Sequence, residues 1–113
     1  MIYEVRNYHF RLDLFDEYKV WAKATAVPYL ASKLDLVGFW VNTADPADVQ
    51  GEPQDGLGPS NVTWVIRWRD LAEREVVWAA TLATLQWEQI LATVPGGVTS
   101  FRRVEFKFAE SLI

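Results

Sequence analysis

The run Ile2-Tyr3-Glu4-Val5-Arg6-Asn7-Tyr8 alternates in the manner of a β-strand, and Leu36-Val37-Gly38-Phe39-Trp40 does so again, each with large apolar side chains on both parities. A strand of that kind carries bulk on both faces of its sheet, so the sheet needs cover on both sides. The chain holds helix enough for one side only. The other face is therefore expected to close against a second copy of the chain around a shared cavity. Tyr3, Tyr8, Phe39, Trp40, Trp64 and Trp68 are spread over both parities. Each aromatic buries roughly 150–250 Å², so three left bare would reach the few hundred Å² that a soluble monomer tolerates. The alternative cover is the chain's own loop 44–60 together with its C-terminal tail.

The rest of the chain fills in the order of elements. Residues 2–10 read as the first strand. Asp13 is placed to cap an amphipathic helix whose stripe is Leu14, Phe15, Tyr18, Trp21, Ala22, Thr25 and Tyr29, ending between Leu30 and Lys33 with Pro28 in its last turn. The second strand spans Leu34 to Thr43, with Val37, Phe39 and Val41 on one face and Leu36, Gly38, Trp40 and Asn42 on the other. Residues 44–60 collect Pro46, Pro53, Pro59, Gly51, Gly56 and Gly58, a loop too long for a hairpin turn and read as a tolerated insertion or a lid. Val62 to Arg69 is the third strand. Asp70 and Glu73 form a capping box ahead of a second helix, broken near Ala83 or Thr84, that runs to Pro95-Gly96-Gly97. A fourth strand covers Val98 to Phe108, and the tail Ala109 to Ile113 is apolar enough to dock.

Strand, helix, strand, strand, helix, strand, with right-handed crossovers, gives an α+β fold of the ferredoxin-like βαββαβ kind. Its helices lie on one face of a four-stranded antiparallel sheet. At 113 residues this is one domain, 1–113. A net charge of −4, with no basic cluster longer than Arg102-Arg103, lacks the footprint of a nucleic-acid binder. No apolar run approaches the ~20 residues of a membrane span, and no signal peptide opens the chain, so a soluble protein is expected. Cysteine is absent and His9 is the lone histidine, which removes disulfides, thiolate chemistry and zinc-thiolate sites and is compatible with a cytoplasmic location. Neither a metal nor a cofactor is called for.

Glu4, Arg6 and Tyr8 share one face of a central strand, an unusual place for a carboxylate and a guanidinium unless they pair or line a cavity. They form the first-choice pocket wall, and a structural ion pair that fixes the dimer register is the equal alternative. Trp40, Trp64 and Trp68 are ligand-stacking candidates set against plain core packing. His9, with Asn7 on the other parity, could act as a general base or sit on the surface. Of Arg102 and Arg103, which point to opposite faces, Arg102 is the candidate to enter a cavity.

Ile2-Tyr3-Glu4-Val5-Arg6-Asn7-Tyr8, Leu36-Val37-Gly38-Phe39-Trp40, Leu71-Ala72-Glu73-Arg74 and Trp87 together resemble a NIPSNAP-domain protein of the dimeric α+β barrel superfamily, over nearly the whole chain except residues 44–60. The resemblance implies a homodimer whose two sheets face each other, and it implies no reaction. Two departures stand out: the third strand has Trp64 and Ile66 where the family tends to carry His and Trp, and the Pro/Gly loop is longer. Haem-degrading members of the superfamily use an Asn and a Trp on the sheet, which Asn7 and Trp64 resemble, with a His from a helix, which this chain lacks. Cofactor-independent monooxygenases of the superfamily line a dry pocket with Trp, Asn, Tyr and Arg, all present here. The expected function is therefore a homodimeric NIPSNAP-type protein whose Trp-rich apolar cavity binds a small aromatic or polyketide-like molecule. Its rivals are a cofactor-free monooxygenase, isomerase or cyclase, in which Glu4 or His9 takes a proton and Arg6 steadies the oxyanion, and a non-catalytic interaction module.

Overall fold

In the computed structural model, which describes residues 1–43, 47–52 and 55–113, the alternating segments pair as one antiparallel sheet. Its strands are β1 (Ile2–Phe10), β2 (Leu36–Val41), β3 (Val62–Trp68) and β4 (Phe101–Ala109), in the spatial order β2-β3-β1-β4. The central strand β1 aligns Arg6 with Trp64 of β3 and with Phe106 of β4, and Tyr8 with Val62 and Val104. Glu4, Arg6, Tyr8 and Phe10 thus share a face with Val62, Trp64, Ile66 and Trp68.

The helices cover that face. The first is one continuous rod, α1 (Phe15–Trp21) and α2 (Val27–Lys33) joined by a π-helical turn, Ala22–Ala26. Pro28 falls in the first turn of α2, just after this widened turn. The π turn accommodates the ring and the missing N–H, so the rod runs through the proline to Lys33. Asp13 does not cap it: a 3₁₀ turn, Leu12–Leu14, precedes α1, and Asp13 instead holds Arg11 at 2.6 and 3.0 Å. The cap forms at the expected residues, Asp70 accepting from the Glu73 amide at 2.8 Å, while the Glu73 carboxylate reaches one residue past the N-cap to the Arg69 amide at 2.6 Å. It opens α3 (Leu71–Leu82), and after a break at Ala83 the side chain of Thr84 caps α4 (Leu85–Leu91). Tyr29 ties the two helical layers at this break, donating to Thr81 O at 2.6 Å and accepting from Thr84 Oγ1 at 2.5 Å.

Two strand boundaries differ from expectation. A bulge between Leu36 and Gly38 puts Leu36 opposite Ile66 and Phe39 opposite Trp64, so Leu36, Phe39 and Val41 face the helices while Gly38 and Trp40 face away. β4 starts at Phe101 because Gly96 and Gly97, at φ of 71° and 81°, turn the chain into a 3₁₀ segment, Val98–Ser100. Ser100, fully buried there, donates to Pro95 O and accepts from the Arg11 amide, both at 2.9 Å.

The core lies between sheet and helices, centred on Phe10, Tyr18, Trp64 and Ile66. Leu112 and Ile113 are fully exposed, so the tail docks nowhere on its own chain. The described part of the long loop is clipped to β4 by Arg103, which grips both oxygens of Asp55 at 2.7 and 2.8 Å and donates to Gly58 O at 2.7 Å. Pro46 and Pro53 lie outside the described residues.

Candidate functional site

β1 places its alternating polar residues directly under the second helix, where a carboxylate would be costly unless fully paired. Glu4 is fully buried, and Arg6 and Arg74 both bond to it. Its Oε2 accepts from Arg6 Nη1 at 2.5 Å and Arg74 Nη2 at 3.2 Å, while Oε1 accepts from Arg74 Nε and Trp68 Nε1, each at 3.0 Å. Burial alone would raise the Glu4 pKa, but the hydrogen bonds from Arg74, Arg6 and Trp68 outweigh it and hold the carboxyl below its ordinary range. Two guanidiniums against one carboxylate leave this buried cluster with a surplus positive charge.

Aromatic rings take up that surplus. The Arg6 guanidinium carbon lies 4.7 Å from the Trp78 ring centre and 4.9 Å from that of Phe106, with Tyr8 and Trp64 each at 5.6 Å. Arg74, one helical turn before Trp78 on α3, stacks on the same indole at 5.1 Å and on Phe108 at 5.4 Å. Arg6 Nε donates to the Tyr8 hydroxyl at 2.7 Å. Burial raises the Tyr8 pKa against the pull of Arg6 and of the Trp64 N–H, so the phenol keeps its proton at neutral pH.

Arg6, Tyr8 and Trp64 form the polar floor of a cavity of about 370 Å³ between sheet and helices. Phe39 and Val104 extend the floor, Trp21, Ala26 and Leu30 make one wall, and Trp78, Leu82 and Trp87 make the other. The size falls at the lower end of the range for small-molecule sites, roughly 300–1,000 Å³. Among the described residues that line it there is no Asp, Glu, His or Lys. The Trp64 indole N–H is sealed from the cavity and leans toward the Tyr8 hydroxyl without closing a full hydrogen bond.

The structure thus brings Glu4, Arg6, Tyr8 and Trp64 together, with Trp68 behind the floor as a Glu4 ligand rather than in the wall. Trp40, Arg102 and His9 fall elsewhere. Trp40 sits on the opposite face, half exposed, its indole folded across Gly38 so closely that any β-carbon there would collide with the ring. His9 is on that face too, its Nδ1 3.0 Å from Pro59 O, and Asn7 there accepts from Thr63 Oγ1 at 2.7 Å. Arg102 is exposed beside Arg11, Asp13 and Thr99, at a separate hollow. This cavity is lined by one chain, between its own sheet and helices. Sequence reading passed over Arg74, whose signal was a cation inside the apolar stripe Leu71, Val77, Trp78. It also passed over Asn61, whose amide extends the β1 ladder by accepting from Phe10 N and donating to Phe10 O, both at 2.9 Å. No pattern in the sequence marks Asn61.

Fold and site define a ferredoxin-like α+β protein with an apolar, aromatic pocket closed over a buried Arg–Glu–Arg cluster. The NIPSNAP family pattern matches residues 3–103, and the chain belongs to that family. An uncharacterised NIPSNAP domain protein from Burkholderia xenovorans superposes with a TM-score of 0.74 at 17% identity, covering 98% of this chain and 94% of that one. A NIPSNAP family protein of unknown function from Agrobacterium tumefaciens gives 0.72 at 20% identity, over 96% and 86%. An antibiotic biosynthesis monooxygenase gives 0.56 at 10% identity over 100% of both chains. At these identities the likenesses establish the fold. No curated protein matches the chain.

Proposed function

We propose that this protein binds a small, planar, largely apolar molecule in the cavity between its sheet and helices, and that it does so as a homodimer paired through the open sheet faces. The observation that carries the first part is the cavity itself: four tryptophans, Trp21, Trp64, Trp78 and Trp87, line a space that the chain's own side chains leave unfilled. Close packing is the rule in protein interiors, so an aromatic-lined gap of this size favours a ligand over simple core. The rival in which Glu4 or His9 abstracts a proton draws no support from the geometry. Both Glu4 oxygens are occupied by cationic or indole donors, and His9 is on the other side of the sheet.

Intrinsic tryptophan fluorescence during titration with naphthalene-sized aromatics tests the site, since bound rings would lie against the lining indoles. Saturable quenching is expected, and it should be abolished by Ala26→Met, which fills the wall, or by Leu91→Trp, which narrows the mouth. Quenching that persists unchanged in both variants would place the ligand elsewhere.

A further inference from the structure

We infer that the cavity selects its planar ligand through an anionic oxygen, such as a phenolate, enolate or carboxylate, seated against the Arg6 guanidinium and the Tyr8 hydroxyl. The inference rests on the cavity being the ligand site, and it adds the chemical class of what enters.

Three observations converge on it. Arg6 commits Nε to Tyr8 and Nη1 to Glu4, while its Nη2 makes no hydrogen bond among the described residues. The Tyr8 oxygen already accepts from Arg6, leaving its own hydrogen to give. Finally, the charged groups facing this floor are Arg6, Arg74 and Glu4, two cations to one anion. The polar part of the floor is therefore rich in donors and adjoins a surplus of positive charge. A neutral hydrocarbon would leave both the Tyr8 O–H and the guanidinium edge unsatisfied, whereas an oxyanion satisfies them through charge-assisted hydrogen bonds.

The ligand's own ionisation separates this reading from a merely greasy pocket. Transfer of a phenol into apolar surroundings raises its pKa, because desolvation disfavours the anion, while aligned donors and a net cation lower it. 4-Nitrophenol reports its state directly, since the phenolate absorbs in the visible. With the protein in excess, the bound 4-nitrophenol is expected to titrate about one unit or more below the free compound, and the phenolate to bind about tenfold or more tighter than 4-nitrotoluene, which has the same outline and no oxyanion. Arg6→Met should bring the bound pKa to or above the free value while Glu4 keeps Arg74 as partner, and Tyr8→Phe should raise it by a smaller step.

A bound pKa unchanged or raised in the unmodified protein overturns the inference. So does equal affinity for 4-nitrotoluene and the phenolate, an outcome that leaves the ligand site standing. If neither compound quenches the tryptophans, the site reading falls and this inference with it.

Discussion

Glu4 shows how one residue can be both hazardous and indispensable. A carboxylate with no exposure is tolerated because two guanidiniums and an indole donate to it, and those guanidiniums are in turn tolerated because they are paired and stacked. Glu4→Gln keeps the shape and removes the charge, stranding two buried cations, so a loss of about 3–5 kcal/mol is expected from urea unfolding. Arg6→Met should cost clearly less, because the pair Glu4–Arg74 survives it. Since the folded Glu4 carboxyl sits below its ordinary range, its contribution is complete above the unfolded-state pKa and drains away as pH falls through the folded value. Acid unfolding of the parent protein should therefore steepen below about pH 4, and Glu4→Gln should flatten that limb. A variant with the same acid profile as the parent would mean that other carboxylates control it. Asn61 is the polar counterpart at the far end of β1. Asn61→Ala leaves the Phe10 N–H and C=O unpaired in a buried position, and a cost of ~2–4 kcal/mol is expected in the same assay.

At the level of elements, most of what was legible followed from periodicity, and what was not followed from events at element ends. Four alternating runs and two amphipathic stripes are enough to specify the antiparallel sheet and its helical layer, and the parity that unites Glu4, Arg6 and Tyr8 follows from them. A bulge defeats parity arithmetic, however: one extra residue at Val37 is all it takes to bring Leu36 onto the face of Phe39 and Val41. Asp13 misleads for a similar local reason, because an arginine two residues earlier competes for its carboxylate. Helix contributions to the cavity were hidden because Trp78 and Trp87 look like ordinary core when only one helix is considered. The break between α3 and α4 was readable, and it has a consequence for the cavity. Thr84 caps α4 through the Trp87 amide at 3.1 Å and meets Tyr29, so it holds the Trp87 wall against the first helix. Thr84→Ala should cost ~1–2 kcal/mol and speed amide exchange at Trp87 more than at residues of α3. Uniform acceleration across both helices would point to global destabilisation instead.

For the molecule as a whole, the unequal treatment of the two sheet faces argues for a partner. A single sheet with helices on one side makes a slab, with extents of 37 × 36 × 21 Å, and its surface of 7400 Å² exceeds by about 1,000 Å² what a compact monomer of this mass presents. The excess is comparable to the ~800 Å² that one protomer contributes to a standard interface. On the open face Val5 pairs with Val65 at the centre, Tyr3 flanks them, and Trp40 stands half exposed at the side, while Pro59 and Gly58 of the long loop meet the sheet at His9 and Arg103. A second copy apposing the same face would bury this patch isologously. Val65→Asp places an unpaired charge at its centre, and sedimentation is expected to show dimers for the parent protein and monomers for the variant at micromolar concentration. Because the cavity is enclosed by the helices of its own chain, the monomeric variant should still quench its tryptophans with planar ligands. Loss of binding in step with loss of the dimer would mean that the partner completes the pocket, and a parent protein that sediments as a monomer would remove the reason for the open face's apolar centre.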